Sequence, residues 1–139
     1  MIVLDTNVVS ELMRTRPDEA VADWTARQPA ASLYTTSITQ AEILYGIQRL
    51  ASGKRRTGLE SAAQMIFGED FAGRILGFDS HAAITYARIA AARERAGRPI
   101  SQFDAQIAAI TSTARATLAT RDIDDYHGCG VKLVDPWND

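Results

Sequence analysis

Met1-Ile2-Val3-Leu4-Asp5-Thr6-Asn7 opens the chain and governs how the rest is read. Ile2, Val3 and Leu4 form an uninterrupted aliphatic run, the pattern of a short buried strand. Asp5 closes it. In an open parallel sheet, ligands bind beyond the carboxyl ends of the strands, where loops from several elements converge. Asp5 is therefore a candidate ligand, and it can equally cap the next helix, Val8 to Met13. Thr6 and Asn7 form a polar pair between the two.

Outward from that start, helical and strand patterns alternate. Pro17-Asp18-Glu19 predicts a second helix, with proline in its first turn and acids near its positive end. Ser32 to Thr36 is a second strand, and a helix starts from Ser37 with Ile43, Leu44, Ile47 and Leu50 as its apolar positions. After the basic stretch Gly53 to Arg56, a further helix covers Thr57 to Phe67. Ile75 to Phe78 is a third short strand. Asp79 caps a long alanine-rich helix to Arg95, ended by Gly97 and Pro99. Ser101 begins the next helix, to Thr113. Thr117 to Thr120 and Val131 to Val134 are the last strands. Short strands separated by helices favour parallel pairing in a sheet covered on both faces. No repeat, low-complexity run or linker divides the 139 residues, so one domain is expected.

The other notable carboxylates also fall at element ends. Asp122 follows the Thr117 to Thr120 strand, with Asp124 and Asp125 just beyond. Three acids in four positions repel unless solvent, a cation or protonation relieves them; they also fit a solvated turn. Spacing leaves open whether Asp122 or Asp125 points inward. Glu42 ends Thr39-Gln40-Ala41-Glu42, which has the form of a capping box, and Ser101-Gln102-Phe103-Asp104 repeats it with Asp. Each of these two acids thus has a structural explanation beside the functional one. Together the four positions offer oxygen donors of the kind a hard divalent ion such as Mg²⁺ prefers.

Composition excludes several alternatives. Hydrophobic residues make up 46% and charged residues 23%, values of an ordinary globular protein rather than a disordered one. Cys129 is the single cysteine, so neither a disulfide scaffold nor a thiolate metal site is possible; it reads as a small buried filler. His81 and His127 lack zinc-ligand spacing. No apolar run reaches membrane length and no basic signal region opens the chain, so a cytoplasmic setting is expected. Phosphate-cradling glycine motifs and a glycine-flanked serine nucleophile are missing. An aspartyl phosphohydrolase also begins with a strand ending in Asp, but the second Asp it uses two residues later is here Asn7.

The net charge is −2, which argues against a general nucleic-acid coat protein. The distribution of charge is more informative. Lys54-Arg55-Arg56 is a compact cluster between helices, extended by Arg49, while Arg14, Arg16 and Arg121 lie near the proposed site. These could position a phosphodiester backbone without reading bases; the Lys54 cluster also fits a solvated loop.

Five segments then point to one family. Met1 to Glu11, Ser37 to Gly46, Pro99 to Ala109, Thr120 to Tyr126 and Val134 to Trp137 together resemble the PIN-domain ribonucleases, particularly the VapC/FitB-like toxins of prokaryotic type II toxin–antitoxin pairs. The resemblance implies a three-layer α/β/α sandwich with a central, mainly parallel sheet. It implies an acidic metal centre of Asp5, Glu42 and Asp104, with Asp122 as fourth acid, Asp125 as its rival, and Thr6, Thr120 and Arg121 as auxiliaries. It further implies Mg²⁺-dependent hydrolysis of RNA (Mn²⁺ substituting), a cognate antitoxin and a homodimer. The competing expectations are an aspartyl-type phosphohydrolase and a non-catalytic α/β binding protein.

Overall fold

A computed structural model describes residues 1–139. Five strands, β1 (Ile2–Leu4), β2 (Leu33–Thr36), β3 (Ile75–Leu76), β4 (Thr117–Ala119) and β5 (Lys132–Val134), form one sheet in the order β3-β2-β1-β4-β5. All four pairings are parallel. The helices are α1 (Thr6–Leu12), α2 (Glu19–Ala26), α3 (Ser37–Gln48), α4 (Lys54–Met65), α5 (Ser80–Arg95), α6 (Gln102–Thr113) and the single turn α7 (Ile123–Tyr126). The three-layer α/β/α expectation holds.

Alternation along the strands builds two cores. Leu4 and Ala119 face a cluster containing Val8, Val9, Trp24, Ile43 and Phe67, contributed by α1 to α4 and the π-helical turn that follows α4. Val3 and Leu118 face the other side, against Ile89, Ile107, Ile110 and Tyr126. Burying both faces of β1 is why its residues are aliphatic without interruption. No helix is long and apolar enough to cross a membrane.

Capping residues account for several boundaries that differ from expectation. Asp5 accepts a hydrogen bond from the Thr6 amide at 2.8 Å, so α1 starts at Thr6, two residues before Val8. Pro17 stays outside α2, which Asp18 caps through the Ala20 amide. Thr36, not Thr39, caps α3, accepting from the Thr39 amide at 3.0 Å. Glu42 is therefore no partner in a capping box, and its carboxylate is free for other contacts. Ser101 does cap α6, taking the Asp104 amide at 3.2 Å. Gly53, at φ 156°, precedes α4, so Lys54, Arg55 and Arg56 occupy the helix's first turn rather than a loop between helices.

Register carries the caps to one end of the sheet. Val3 pairs with Leu118 and Leu4 with Ala119, which sets Asp5 beside Thr120. The order reverses between β1 and β4, the crevice where open α/β sheets bind ligands. The segment after β4 is pinned by Arg93, itself buried. Its guanidinium donates to the carbonyls of Arg98 (2.7 Å), Asp125 (2.8 Å) and His127 (3.2 Å) and lies 3.2 Å from the Cys129 sulfur. Cys129 is itself buried among the residues of this core, which raises its thiol pKa.

Replacing Arg93 with Met would take the donor from three part-buried carbonyls, at about 1 kcal/mol apiece. Arg93→Met is expected to lower unfolding free energy by about 3 kcal/mol in urea titrations. A loss below about 1 kcal/mol would show that the clamp is dispensable.

Candidate active site

Asp5 is the hub of the crevice, and only 3% exposed. Its Oδ1 accepts from the Thr6 amide at 2.8 Å and the Tyr126 hydroxyl at 3.2 Å. Its Oδ2 accepts from the Thr120 hydroxyl at 2.8 Å and, more weakly, from the Asn7 amide at 3.5 Å. Every donor that orients Asp5 reaches, through the same residue, another site acid or its backbone. The Tyr126 hydroxyl is also 3.0 Å from Asp104 Oδ1. Thr6 donates its hydroxyl to Glu42 at 2.8 Å. Asn7 donates to Asp122 at 3.0 Å, and the Asp122 amide donates to the Thr120 hydroxyl at 3.0 Å.

Four of the acids singled out in the sequence thus surround one crevice, linked by interposed hydroxyls and an amide. Asp125 is not brought in. It is exposed, and the bonds at that residue are made by its backbone, to Asp122 and Arg93. Arg121 contributes its amide, which donates to Asn7 at 3.2 Å, while its guanidinium stacks over Trp137 at 4.9 Å from the ring centre. The Thr6 hydroxyl is engaged with Glu42 and the Thr120 hydroxyl with Asp5.

Burial raises the Asp5 pKa from 3.8 to about 6, and the nearby Asp104 charge adds to the rise against the hydrogen bonds from Thr120, Thr6 and Tyr126. Burial, with Asp104 again, also raises Glu42, opposed by the Thr6 hydroxyl. The Tyr126 phenol is pushed far above its ordinary range by burial and by the Asp5 and Asp104 charges, so it stays a donor. A dehydrated carboxylate among others has a strong reason to take up a cation. The donors are all oxygen, as Mg²⁺ requires. No three of the acids converge tightly enough to enclose an ion by themselves. A cation that keeps several waters and uses one or two carboxylates could be held by the Asp5–Asp104 pair, which one phenol bridges.

Residues 2–127 match the PIN domain family. The chain belongs to the PIN-domain family. This PIN domain is 38% identical over 137 residues to VapC ribonuclease Y4jK of Sinorhizobium fredii, covering 99% of the chain and 98% of that protein. It is 37% identical over 139 residues to toxin FitB of Neisseria gonorrhoeae, covering 100% of each. A solved structure of FitAB bound to a DNA fragment superposes with a TM-score of 0.91 at 36% identity, covering 99% of this chain and 96% of that one. FitAcB from Neisseria gonorrhoeae superposes at 0.87 and 34% identity, with 99% of both chains covered.

Two residues of this PIN domain's crevice went unrecognised in the sequence. Asn7 entered only as a missing acid, yet it bridges Asp5 and Asp122. Tyr126, the last residue of the single turn α7, turns its hydroxyl onto Asp5 and Asp104, and no periodicity or spacing in the sequence marked it.

Because the folded Asp5 pKa lies above the unfolded 3.8, the folded state binds the proton more tightly. The stability this adds is complete below pH 3.8 and is lost as pH rises through about 6, a change of about 3 kcal/mol from this group. The raised Glu42 acts in the same direction. With chelator present, Asp5→Asn is expected to flatten much of this fall in chemical denaturation from pH 4 to pH 8. An equally steep fall in the variant would exclude Asp5 as its source.

Proposed function

We propose that this PIN domain is a Mg²⁺-dependent endoribonuclease, active also with Mn²⁺, and the toxin of a type II toxin–antitoxin pair. The observation that carries the reading is the Asp5 hub, with Asp104, Glu42 and Asp122 gathered around it by Tyr126, Thr6 and Asn7. Likeness to proteins named VapC ribonuclease and toxin FitB supports both the substrate and the toxin role. Neighbours solved as FitAB and FitAcB, together with the relative named toxin FitB, support a partner chain, read here as a cognate antitoxin. The reading takes residues 1–139 as one PIN-like domain working in the cytoplasm as a homodimer.

In this reading Asp5 and Asp104 would hold the ion, with Glu42, tied to Thr6, as third acid and Asp122 as the fourth. Asp122 is preferred to Asp125 because only Asp122 reaches the hub through its side chain. Thr6 and Thr120 fix the rotamers of Glu42 and Asp5, so that charge is aligned before substrate arrives. A divalent cation held by these carboxylates would supply Lewis-acid polarisation of the phosphoryl oxygens and a lowered pKa for water. Glu42, with its raised affinity for protons, is placed to take one from an attacking water. An aspartyl phosphohydrolase is disfavoured, since Asn7 spends its amide on Asp122 and Asp5 and cannot shuttle a proton.

Single-stranded RNA, single-stranded DNA and a small phosphate ester, each with and without Mg²⁺ or Mn²⁺, test the reading. RNA cleavage is expected only with metal, and Asp5→Asn is expected to lower it about a thousandfold, several kcal/mol of transition-state stabilisation. Equal cleavage by wild type and variant would remove the assigned centre. Ester hydrolysis without RNA cleavage would install the phosphohydrolase instead, and no turnover of any substrate would leave a binding protein.

Tyr126→Phe separates positioning from chemistry. Losing the hydroxyl frees Asp5 and Asp104 to rotate apart, and Mn²⁺ affinity measured by calorimetry is expected to fall about tenfold, the usual cost of losing an outer-shell partner. Unchanged affinity would reduce Tyr126 to a packing residue.

A further inference from the structure

The acids occupy one end of a longer surface. A cavity of about 360 Å³ begins at Thr6 and Glu42 and runs along α1 and α3 to Met13, Arg55 and Leu59. Those last three residues also line a second, larger cavity of about 810 Å³ between the α1–α2 loop and the start of α4. Its walls carry Arg14, Arg16, Lys54 and Arg55 and no carboxylate. Thr6 and Met13 are two helical turns apart, roughly 10 Å, so the basic bay lies within a short step of the crevice.

Its charges are mostly unspent. Arg14 pairs with Glu11 at 3.2 Å, and Arg56, next in the basic run, is tied to Glu60 at 3.2 Å and Gln48 at 2.6 Å, outside the bay. Arg16, Lys54 and Arg55 are exposed and have no ion-pair partner. Like charges facing one concavity repel unless an anion sits among them, and a low-dielectric wall concentrates their field. The opposite flank has the reverse sign. A cavity of about 330 Å³ there is lined by Asp122, Asp124, Asp125 and Asp135, and its one arginine, Arg121, is stacked on Trp137.

We propose that the basic bay is a subsite for the phosphate backbone of single-stranded RNA, which reaches the acids along α1, α3 and α4 and not across the acidic flank. The subsite rests on the nuclease reading above and adds to it the side from which the strand enters. No aromatic residue lines either cavity, so there is no platform for stacked bases. Recognition in the bay is electrostatic, tolerant of sequence and sensitive to salt.

The test compares equal losses of charge in two places. Arg16→Gln/Arg55→Gln removes one cation from each wall of the bay. Arg27→Gln/Arg115→Gln removes two exposed arginines that line neither cavity. Both pairs are placed in the full chain carrying Asp5→Asn to suppress cleavage. Binding of a labelled single-stranded RNA of about 16 nucleotides is followed by fluorescence anisotropy across a salt series. The bay pair is expected to weaken binding about tenfold and to flatten the plot of log Kd against log salt by about 1.4, or 0.7 per phosphate contact. Arg16→Lys/Arg55→Lys should restore the slope, and the control pair should leave it near that of the parent.

Identical slopes for bay and control pairs would mean diffuse attraction and overturn the subsite. So would a bay pair that binds RNA normally but loses affinity for polyglutamate, which would make the bay a protein-docking surface. Cleavage by chains with intact Asp5 is scored separately. A chain that cuts RNA but shows no bay effect loses only the subsite. A chain that shows the bay effect but cuts nothing loses only the nuclease reading.

Discussion

A carboxylate held dry at the end of the central strand is the constraint on which the rest of the crevice depends. Asp5 is buried to 3% exposure and cannot be left there without donors. The surrounding polar residues answer that need: Thr6, Thr120 and Tyr126 donate to it at 2.8 to 3.2 Å. The same groups answer a second need. Four acids cannot crowd together without mutual repulsion, and here an alcohol, a phenol or an amide stands between Asp5 and each of the others. The remaining strain is visible in the raised proton affinities of Asp5 and Glu42, both in part caused by Asp104.

The fold is arranged so that this assembly forms at one place. Parallel pairing brings the carboxyl ends of β1, β2 and β4 to the same edge, where α1 and α3 begin with side-chain caps from Asp5 and Thr36. Asp5 both caps α1 and anchors the crevice, so structural and functional demands on one side chain are met together. The far side of the crevice depends on Arg93. By holding the carbonyls of Asp125 and His127, it fixes the backbone on either side of Tyr126, whose hydroxyl spans Asp5 and Asp104.

Charge is sorted along the surface more strongly than a net value of −2 suggests. Acids hold the crevice and the α7 flank; unpaired cations collect where the α1–α2 loop meets α4. A molecule can be weakly acidic as a whole and still present a polyanion with a favourable approach, because screening limits each charge to its neighbourhood. The overall balance excluded a coat protein, and the local one is compatible with a bound backbone.

Much was legible without coordinates because it rests on local physics. The aliphatic run of Ile2 to Leu4, the Asp79 and Ser101 caps and the alternation of short strands with helices determined a parallel α/β sandwich, and Asp5 and Asp122 stood out as acids at strand ends. Glu42 and Asp104 had complete local explanations as capping residues, and for Glu42 that explanation was mistaken: Thr36 took the cap, leaving Glu42 for Thr6, 36 positions away. Only the tertiary structure could bring the Asp122 side chain to Asn7, turn Tyr126 inward, commit Arg121 to Trp137 and join Arg16 to Arg55 across one cavity. Side-chain direction near a strand end depends on register and on partners distant in sequence, and a linear pattern carries neither.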